Sequence, residues 1–207
     1  MGILKNIELQ LEIYPEWTCR VYLDDTVSVE MIEKIRNTSA EVIEMPTAKE
    51  HLAMFWRFEP LKDTTIERFI VRDADARLSV REAAAVKEWI ESGKEFHIMR
   101  DNLRHHQYIM GGMWGATQEF IQKEKELYDN ELNEFISGLN PNTCLGVRGM
   151  YFGQDQRWLR IYIWKKIKDS HIAHIGNLPN LKFTGQEKLF PIENPDGMFV
   201  GKSYSKS

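Results

Sequence analysis

The chain has 207 residues, 43% of them hydrophobic, and a formal net charge of −4 at pH 7, so we expect one globular domain and not a nucleic-acid binder that depends on positive charge. No apolar run of about 18 residues occurs, and the first residues are not apolar enough for a signal peptide, so neither a membrane span nor secretion is expected. Two cysteines, Cys19 and Cys144, are too few for a disulfide framework, which favours a reducing compartment such as the cytoplasm.

Helix and strand signals alternate over the first third of the chain. Apolar residues recur in mixed phase over residues 3–13, and we predict a helix that ends before Pro15. Alternating apolar residues predict a strand over residues 18–23. The next predicted elements are a short helix after Ser28, a strand over 41–45 that Pro46 closes, and a helix over 50–62.

The middle of the chain continues this alternation. The apolar run at residues 69–71 is short, which is typical of a strand buried on both faces. Ser79 and Glu82 form a capping-box pattern, which predicts a helix that runs through Ile90. A further strand is predicted over residues 96–99.

Glycines and long amphipathic segments mark the last part of the chain. Three glycines around Trp114 predict a loop over residues 111–115. The remaining predicted elements are a helix over 117–136 that Gly138 and Pro141 stop, a helix over 155–168, and an irregular segment from Leu178 onward.

The alternation of strands and helices predicts an α/β fold with a central sheet and helices on both faces. Ligands of such sheets bind beyond the carboxyl ends of the strands. The residues to inspect are therefore those that follow the predicted strands, namely 24–25, 72–77 and 100–106.

Two carboxylates follow the predicted strand at residues 69–71. Asp73 and Asp75 are one residue apart between Arg72 and Arg77, and both can reach one hard cation such as Mg²⁺ or Mn²⁺. The arginines can bind phosphate or sugar hydroxyls. The alternative is an ordinary turn in which the arginines pair with the carboxylates.

Further polar clusters follow later strands. One contains His97, Arg100 and Asp101 and leads to the glycine-rich segment at 111–115, where Gly112 permits close backbone approach and Trp114 can stack on a sugar or base. The alternative is a polar surface loop with one packed tryptophan.

The last two clusters are smaller. Asp155 lies at the start of the predicted helix over 155–168, where the common role of an aspartate is to cap the helix. His171 and His174 are three residues apart in a segment that favours strand or loop, and a lone histidine there is more often structural than a ligand.

Taken together, these motifs resemble a group of nucleotide-sugar glycosyltransferases with the GT-A fold, to which capsid-glycosylating enzymes of chlorella viruses belong. The resemblance covers most of residues 3–176. It is carried by the segments 14–17, 20–24, 68–82, 96–101, 111–115 and 155–156, and by His174.

The resemblance implies a GT-A-like, Rossmann-related fold with a mixed, mostly parallel sheet in a catalytic domain at residues 1–177. Residues 178–207 are then an irregular segment that packs on this domain or leads to another. The implied metal is Mn²⁺ or Mg²⁺, with Asp73, Asp75 and His174 as ligands, and His171 as substitute for His174. The implied catalytic base is Asp155, with Asp101 as second choice. The residues expected to bind the donor are Arg72, Asp73, Arg77, His97, Arg100, Gly112 and Trp114.

One departure from the family concerns the first residues. GT-A domains begin with a strand whose following loop holds the nucleobase, whereas a helix is predicted here at residues 3–13. Either that strand is very short, or residues 1–11 form it in place of the helix. The nucleobase-binding residues therefore do not transfer from the family to this chain.

The expected function is transfer of a sugar from a nucleoside diphosphate sugar, UDP-linked, to a hydroxyl of a glycan or glycoprotein, with neither nucleic acid nor a membrane span involved. The sequence leaves open whether the anomeric configuration is inverted or retained. Two other functions remain open: a metal-dependent hydrolase of nucleotide sugars or phosphoesters, and a non-catalytic carbohydrate-binding module.

Overall fold

The computed structural model describes residues 2–48, 50–139, 145–146, 149–150, 153–178, 181–194 and 198–204. Its α-helices are α1 (Gly2–Ile13), α2 (Val29–Arg36), α3 (Val80–Ser92), α4 (Gln118–Glu126), α5 (Asn133–Ser137), α6 (Gln154–Trp158) and α7 (Trp164–Ile167). A 3₁₀ helix spans Glu50–Lys62, and π-helical turns span Leu127–Leu132 and Leu159–Ile163. The strands are β1 (Arg20–Leu23), β2 (Glu41–Glu44), β3 (Arg68–Arg72), β4 (Phe96–Arg100), β5 (Met113–Thr117), β6 (Leu145–Gly146), β7 (Gly149–Met150), β8 (His171–Ile175) and β9 (Lys188–Leu189).

The central sheet has five strands in the order β3-β5-β4-β8-β9. β5 is antiparallel to both of its neighbours, while β4, β8 and β9 pair in parallel, so four of the five strands run in one direction. β1 and β2 form a separate parallel pair, with Val21 opposite Val42. This mixed, mostly parallel sheet agrees with the predicted α/β class.

One face of the central sheet carries the main core. Trp114 of β5 is fully buried and stacks on Phe96 of β4, with their ring centroids 5.4 Å apart. Phe120 of α4 contacts Phe96 at 5.2 Å, and Phe58 of the 3₁₀ helix lies 4.7 Å from Trp158 of α6. Helices from three parts of the chain therefore cover this face.

The opposite face packs against α3. Trp89 of α3 is 1% exposed, and its ring stacks on His97 of β4 with centroids 5.2 Å apart. Further along this face, Met99 and Met113 pack against Phe190 and Val200 from the C-terminal segment. Helices thus lie on both faces, as the alternation of elements predicted.

Most of the predicted elements are confirmed. α1 ends at Ile13, and α2 begins after Ser28. Because residues 2–13 are helical, the alternative that residues 1–11 form a strand is wrong for the part that the structure describes. Ser79 accepts a hydrogen bond from the Glu82 N–H over 3.3 Å, so the capping pattern marks the start of α3 correctly.

The predicted loop at residues 111–115 is wrong from Met113 onward. Residues 113–117 form β5, the strand that joins β3 to β4. Glycine normally signals a turn, but a Cβ on Gly115 would lie 2.5 Å from the Phe69 carbonyl oxygen and 3.2 Å from the Trp89 ring. Glycine is needed here because the neighbouring backbone and Trp89 come so close.

Two other predictions need correction. The strand at 69–71 was expected to be buried on both faces, but Phe69 and Val71 are buried while Ile70 is only partly so. β3 is an edge strand of its sheet, and an open cleft lies beside it, so one face is less covered. The predicted helix at 50–62 is helical throughout but has 3₁₀ geometry, and it contains Pro60, which lacks a backbone N–H.

The long predicted helices are continuous but not uniform. Residues 118–137 and 154–167 each contain a π-helical turn between two α-helical parts. None of the described residues forms a helix that is both long and apolar enough to span a membrane. Cys19 is a free thiol, and Cys144 lies outside the described residues.

Candidate functional site

A cleft of about 820 Å³ lies beside β3, between this strand, α1 and β1. This volume is within the range that small-molecule sites usually have. Its walls combine aromatic side chains, among them Trp17 and Trp56, with polar ones. The charged side chains that line it include Arg57 from the 3₁₀ helix, Arg72 at the end of β3, and Asp73 directly after β3.

Arg57 joins two carboxylates that are far apart in sequence. Its Nη2 donates to Asp73 Oδ1 over 3.1 Å, and its Nη1 donates to Asp155 Oδ2 over 2.6 Å. The side chain of Arg57 is 20% exposed, that of Asp155 4% and that of Asp73 46%. One guanidinium therefore pairs with both a buried and a half-exposed carboxylate at the side of the cleft.

The backbone of two glycines closes this cluster from the side of β5. A Cβ on Gly112 would collide with the Asp73 carboxylate, and one on Gly111 would collide with the Arg57 guanidinium and lie 2.6 Å from Asp155 Oδ2. Glycine is therefore the residue that lets the chain pass this close to three charged groups. At Gly112 the backbone closely approaches the Asp73 side chain of the protein itself, and its approach to a ligand stays a prediction.

Asp155 lies in the first turn of α6, which follows Gly153. Gly153 has φ +77°, a left-handed conformation that favours glycine, and it takes the capping position that was an alternative role for Asp155. Burial raises the pKa of the Asp155 carboxyl above its ordinary value, and the nearby Arg57 opposes this shift. A buried carboxylate with a raised pKa is suited to accept a proton.

The turn that follows β3 offers oxygen ligands for a hard cation. Asp73 has one carboxylate oxygen on Arg57, and Asp75 is exposed and accepts a hydrogen bond from the Ser203 hydroxyl. No three His, Cys, Asp or Glu side chains come together as a metal site within the described residues. Mg²⁺ sites in phosphate-binding enzymes commonly use one or two carboxylates plus substrate phosphates, so a third protein ligand is not required for that type of site.

His174, the third expected metal ligand, lies far from Asp73 and Asp75. It is fully buried in β8, three strands away from β3, which corresponds to about 14 Å at the usual strand spacing. Its Nδ1 is 2.9 Å from His97 Nε2, and its Nε2 is 3.1 Å from Glu88 Oε2. Both ring nitrogens thus have partners, and the structure does not bring His174 to Asp73 and Asp75. His171, at the start of β8, has its Nδ1 2.9 Å from the Ile167 carbonyl oxygen.

Arg72 is held under the cleft by a buried ion pair. Its Nε donates to Glu82 Oε1 over 3.0 Å, and the Tyr14 hydroxyl donates to the same oxygen over 3.2 Å. Burial raises the pKa of Glu82, and Arg72 opposes this shift. Arg72 Nη2 is buried without a partner among the described residues.

The other residues expected to bind the donor lie outside this cluster. Arg100 is buried and pairs with Glu187 at 3.0 Å, and Trp114 is fully buried in the core, where it cannot stack on a sugar. Arg77 packs on the Tyr204 ring, with its guanidinium 5.0 Å from the ring centroid. Asp101 receives two hydrogen bonds from Arg81, of 2.9 and 2.7 Å, and a third from the Val200 N–H.

Arg57 was missed by the sequence reasoning. The sequence does contain a signal for it, because Arg57 is a single cation inside the aromatic run Phe55-Trp-Arg-Phe58. A charged side chain among core residues must find a buried partner or a ligand. Its two partners, 16 and 98 residues away, could not be identified from that pattern.

Comparison with known proteins finds similarity to a solved structure. No model of a known protein family matches the sequence, and no curated protein matches it either. Among solved structures, the chain aligns with a glycosyltransferase involved in the glycosylation of the major capsid of PBCV-1. The two share 14% identity over 77% of this chain and 82% of that one, with a TM-score of 0.45. The function of this chain is therefore inferred from its own residues.

Proposed function

We propose that the protein is a metal-dependent glycosyltransferase with a GT-A-like fold, which moves a UDP-linked hexose or deoxyhexose to a hydroxyl of a glycan acceptor, such as the glycans of a viral capsid glycoprotein. The observation that carries the proposal is the contact of Arg57 with both Asp73 and Asp155 beside the cleft. It brings the Asp-x-Asp motif and the candidate base together, two groups that the motif resemblance assigned separately.

In the proposed reaction, an acceptor hydroxyl attacks the anomeric carbon of the donor, and the bond from that carbon to the diphosphate oxygen breaks. The nucleoside diphosphate leaves with the bonding electron pair, and the hydroxyl proton passes to the Asp155 carboxylate. Such a step inverts the anomeric configuration. The buried position and raised pKa of Asp155 favour this role.

Arg57 orients both carboxylates before substrate binds. Its contact with Asp155 holds that side chain in place, and its contact with Asp73 fixes one ligand of the cation. Asp73 and Asp75 would hold Mn²⁺ or Mg²⁺, which supplies positive charge to the leaving diphosphate when bound. Arg72 Nη2 and Arg57 Nε, both buried without partners among the described residues, are available as further donors to the ligand.

The proposal is tested by calorimetry with UDP and by transfer assays with UDP-sugars, both with Mn²⁺ and with a chelator. Asp73→Asn should weaken Mn²⁺-dependent UDP binding by about tenfold or more, because it removes a charged ligand. Asp155→Asn should leave UDP binding unchanged and lower kcat by about 100-fold or more, the usual effect of losing a general base. Glu91→Gln, at an exposed site on α3, is the matched control and should change neither quantity.

The other two functions give different results in the same experiment. A hydrolase releases free sugar equally fast without an acceptor, and a carbohydrate-binding module shows no metal-dependent affinity for UDP. Either result would overturn the proposal. Retention of the anomeric configuration, measured by proton NMR of the product, would remove Asp155 from its role as base.

A further inference from the structure

Two buried amide side chains, Asn6 and Gln10, lie on the face of α1 that lines the cleft. Asn6 is 6% exposed, and its Nδ2 donates to the carbonyl oxygens of Ala74 and Ala76, over 3.2 and 2.8 Å. These carbonyls belong to the turn that carries Asp73 and Asp75. Asn6 therefore ties α1 to the Asp-x-Asp turn.

The orientation of the Asn6 amide follows from its partners. Both neighbours are carbonyl oxygens, which only accept hydrogen bonds, so the amide nitrogen must face them. Oδ1 then points away from the turn, and it is buried without a partner among the described residues. A buried acceptor without a donor is costly, which makes a ligand that supplies the donor favourable.

The position of Asn6 limits what that ligand group can be. The cleft that Asn6 lines also contains Asp73 and Arg57, where the proposed diphosphate lies. The part of a nucleotide next to the diphosphate is the nucleoside. Its hydrogen-bond donors are the hydroxyls of the ribose and, in uridine, the N–H of the base.

We propose that Asn6 is a nucleoside-binding residue, whose Oδ1 accepts a hydrogen bond from the ribose or the base of the donor while its Nδ2 holds the Asp-x-Asp turn. This proposal rests on the proposed function. It assigns the nucleoside to a wall of the cleft that is a helix, at the place where the chain departs from the family pattern of a first strand. Binding of the nucleoside and shape of the turn are then linked through one side chain.

The test measures the affinity of UDP and of analogues that each lack one donor: N3-methyl-UDP, 2′-deoxy-UDP and 3′-deoxy-UDP. The wild-type protein should bind one of these analogues about tenfold more weakly than UDP, the usual effect of one lost hydrogen bond to a buried group. This comparison needs no variant, so it does not depend on whether a substitution at Asn6 folds.

The Asn6→Ala variant then identifies the partner atom. It should weaken the binding of UDP about tenfold more than it weakens the binding of the one weak analogue, because the hydrogen bond to Oδ1 is already absent with that analogue. Lys5→Ala, at an exposed position on the other side of α1, is the control and should bind all ligands as the wild type does.

Each other outcome would contradict either the role of Asn6, the proposed transferase function, or both. If the wild type binds UDP and all analogues with equal affinity, Asn6 does not bind the nucleoside. The same follows if Asn6→Ala lowers the affinity for UDP and for every analogue by the same factor. If UDP binds with the expected selectivity but no sugar is transferred, the nucleoside site stands and the proposed transferase function fails. If UDP does not bind at all, both proposals fail.

Discussion

The four described histidines with shifted pKa values all shift in the same direction. His97, His105, His171 and His174 lie wholly or partly buried, and burial lowers the pKa of each below its ordinary value. For His105 the pKa falls to about 4. In the unfolded chain, His105 therefore becomes protonated as the pH falls below about 6.5. In the folded protein it stays neutral down to about pH 4. His105 therefore does not change the free energy of unfolding above about pH 6.5, and it lowers that free energy as the pH falls from about 6.5 to about 4.

A substitution at His105 isolates this effect. His105 Nδ1 accepts a hydrogen bond from the Asp101 N–H over 2.9 Å, and an asparagine oxygen can replace that acceptor. The free energy of unfolding of the wild type should fall from pH 7 to pH 5, with about 2 kcal/mol of the loss due to His105. His105→Asn should lose correspondingly less, measured by urea unfolding at both values. An identical loss in both proteins would show that His105 does not titrate as stated.

The candidate site shows which of its members a local sequence pattern can single out. Asp73 and Asp75 stand one residue apart after a strand, so a local pattern was enough to single them out. Arg57 touches Asp73 and Asp155 only because three distant segments meet, and no local pattern encodes that contact. His97 and Arg100 are both buried in β4, a burial that their polarity alone does not indicate.

At the scale of the elements, β5 depends on a residue that normally breaks strands. Replacing Gly115 by alanine would place a methyl group 2.5 Å from the Phe69 carbonyl oxygen and 3.2 Å from Trp89. Because β5 joins β3 to β4, the strands must move apart or Trp89 must shift. We expect Gly115→Ala to destabilise the protein by about 1–3 kcal/mol, the usual cost of overpacking a core. Chemical denaturation measures this loss.

The matched control for that variant is Gly138→Ala. Gly138 ends α5 with φ −80°, a conformation that alanine adopts freely, and its nearest contact for a Cβ is 3.3 Å away. Its stability should change by less than about 0.5 kcal/mol. Equal stability of the Gly115 and Gly138 variants would contradict the packing argument.

The elements that the sequence predicted correctly are those whose signal is local. α1 ends next to Pro15, α2 begins after Ser28, and Ser79 caps α3, so each boundary has a nearby cause. β5 was missed because its glycine is explained by Trp89 and the backbone of β3, both distant in sequence. The π-helical turns likewise have no local pattern, and they divide helices whose extent the apolar spacing predicted well.

At the scale of the whole molecule, the C-terminal segment crosses the sheet and reaches the turn after β3. Arg81 anchors it, since its guanidinium binds Asp101, donates to the Ile192 carbonyl and lies 4.2 Å from the centre of the Phe190 ring. At its far end, the Tyr204 N–H donates to the Asp75 carbonyl oxygen over 2.9 Å, and the Ser203 hydroxyl donates to the Asp75 carboxylate. The segment thus contacts a proposed ligand of the cation, which itself stays exposed.

This contact predicts competition between the segment and the cation. A cation that binds Asp75 must replace the hydrogen bond from Ser203, so Ser203→Ala should tighten Mn²⁺ binding in the presence of UDP by about two- to fivefold, a modest gain because the contact is exposed. Titration calorimetry measures the affinity, and Ser39→Ala, at an exposed site, should leave it unchanged. Weaker Mn²⁺ binding in Ser203→Ala would instead make the serine a contributor to the site, and an unchanged affinity would show that the segment does not compete.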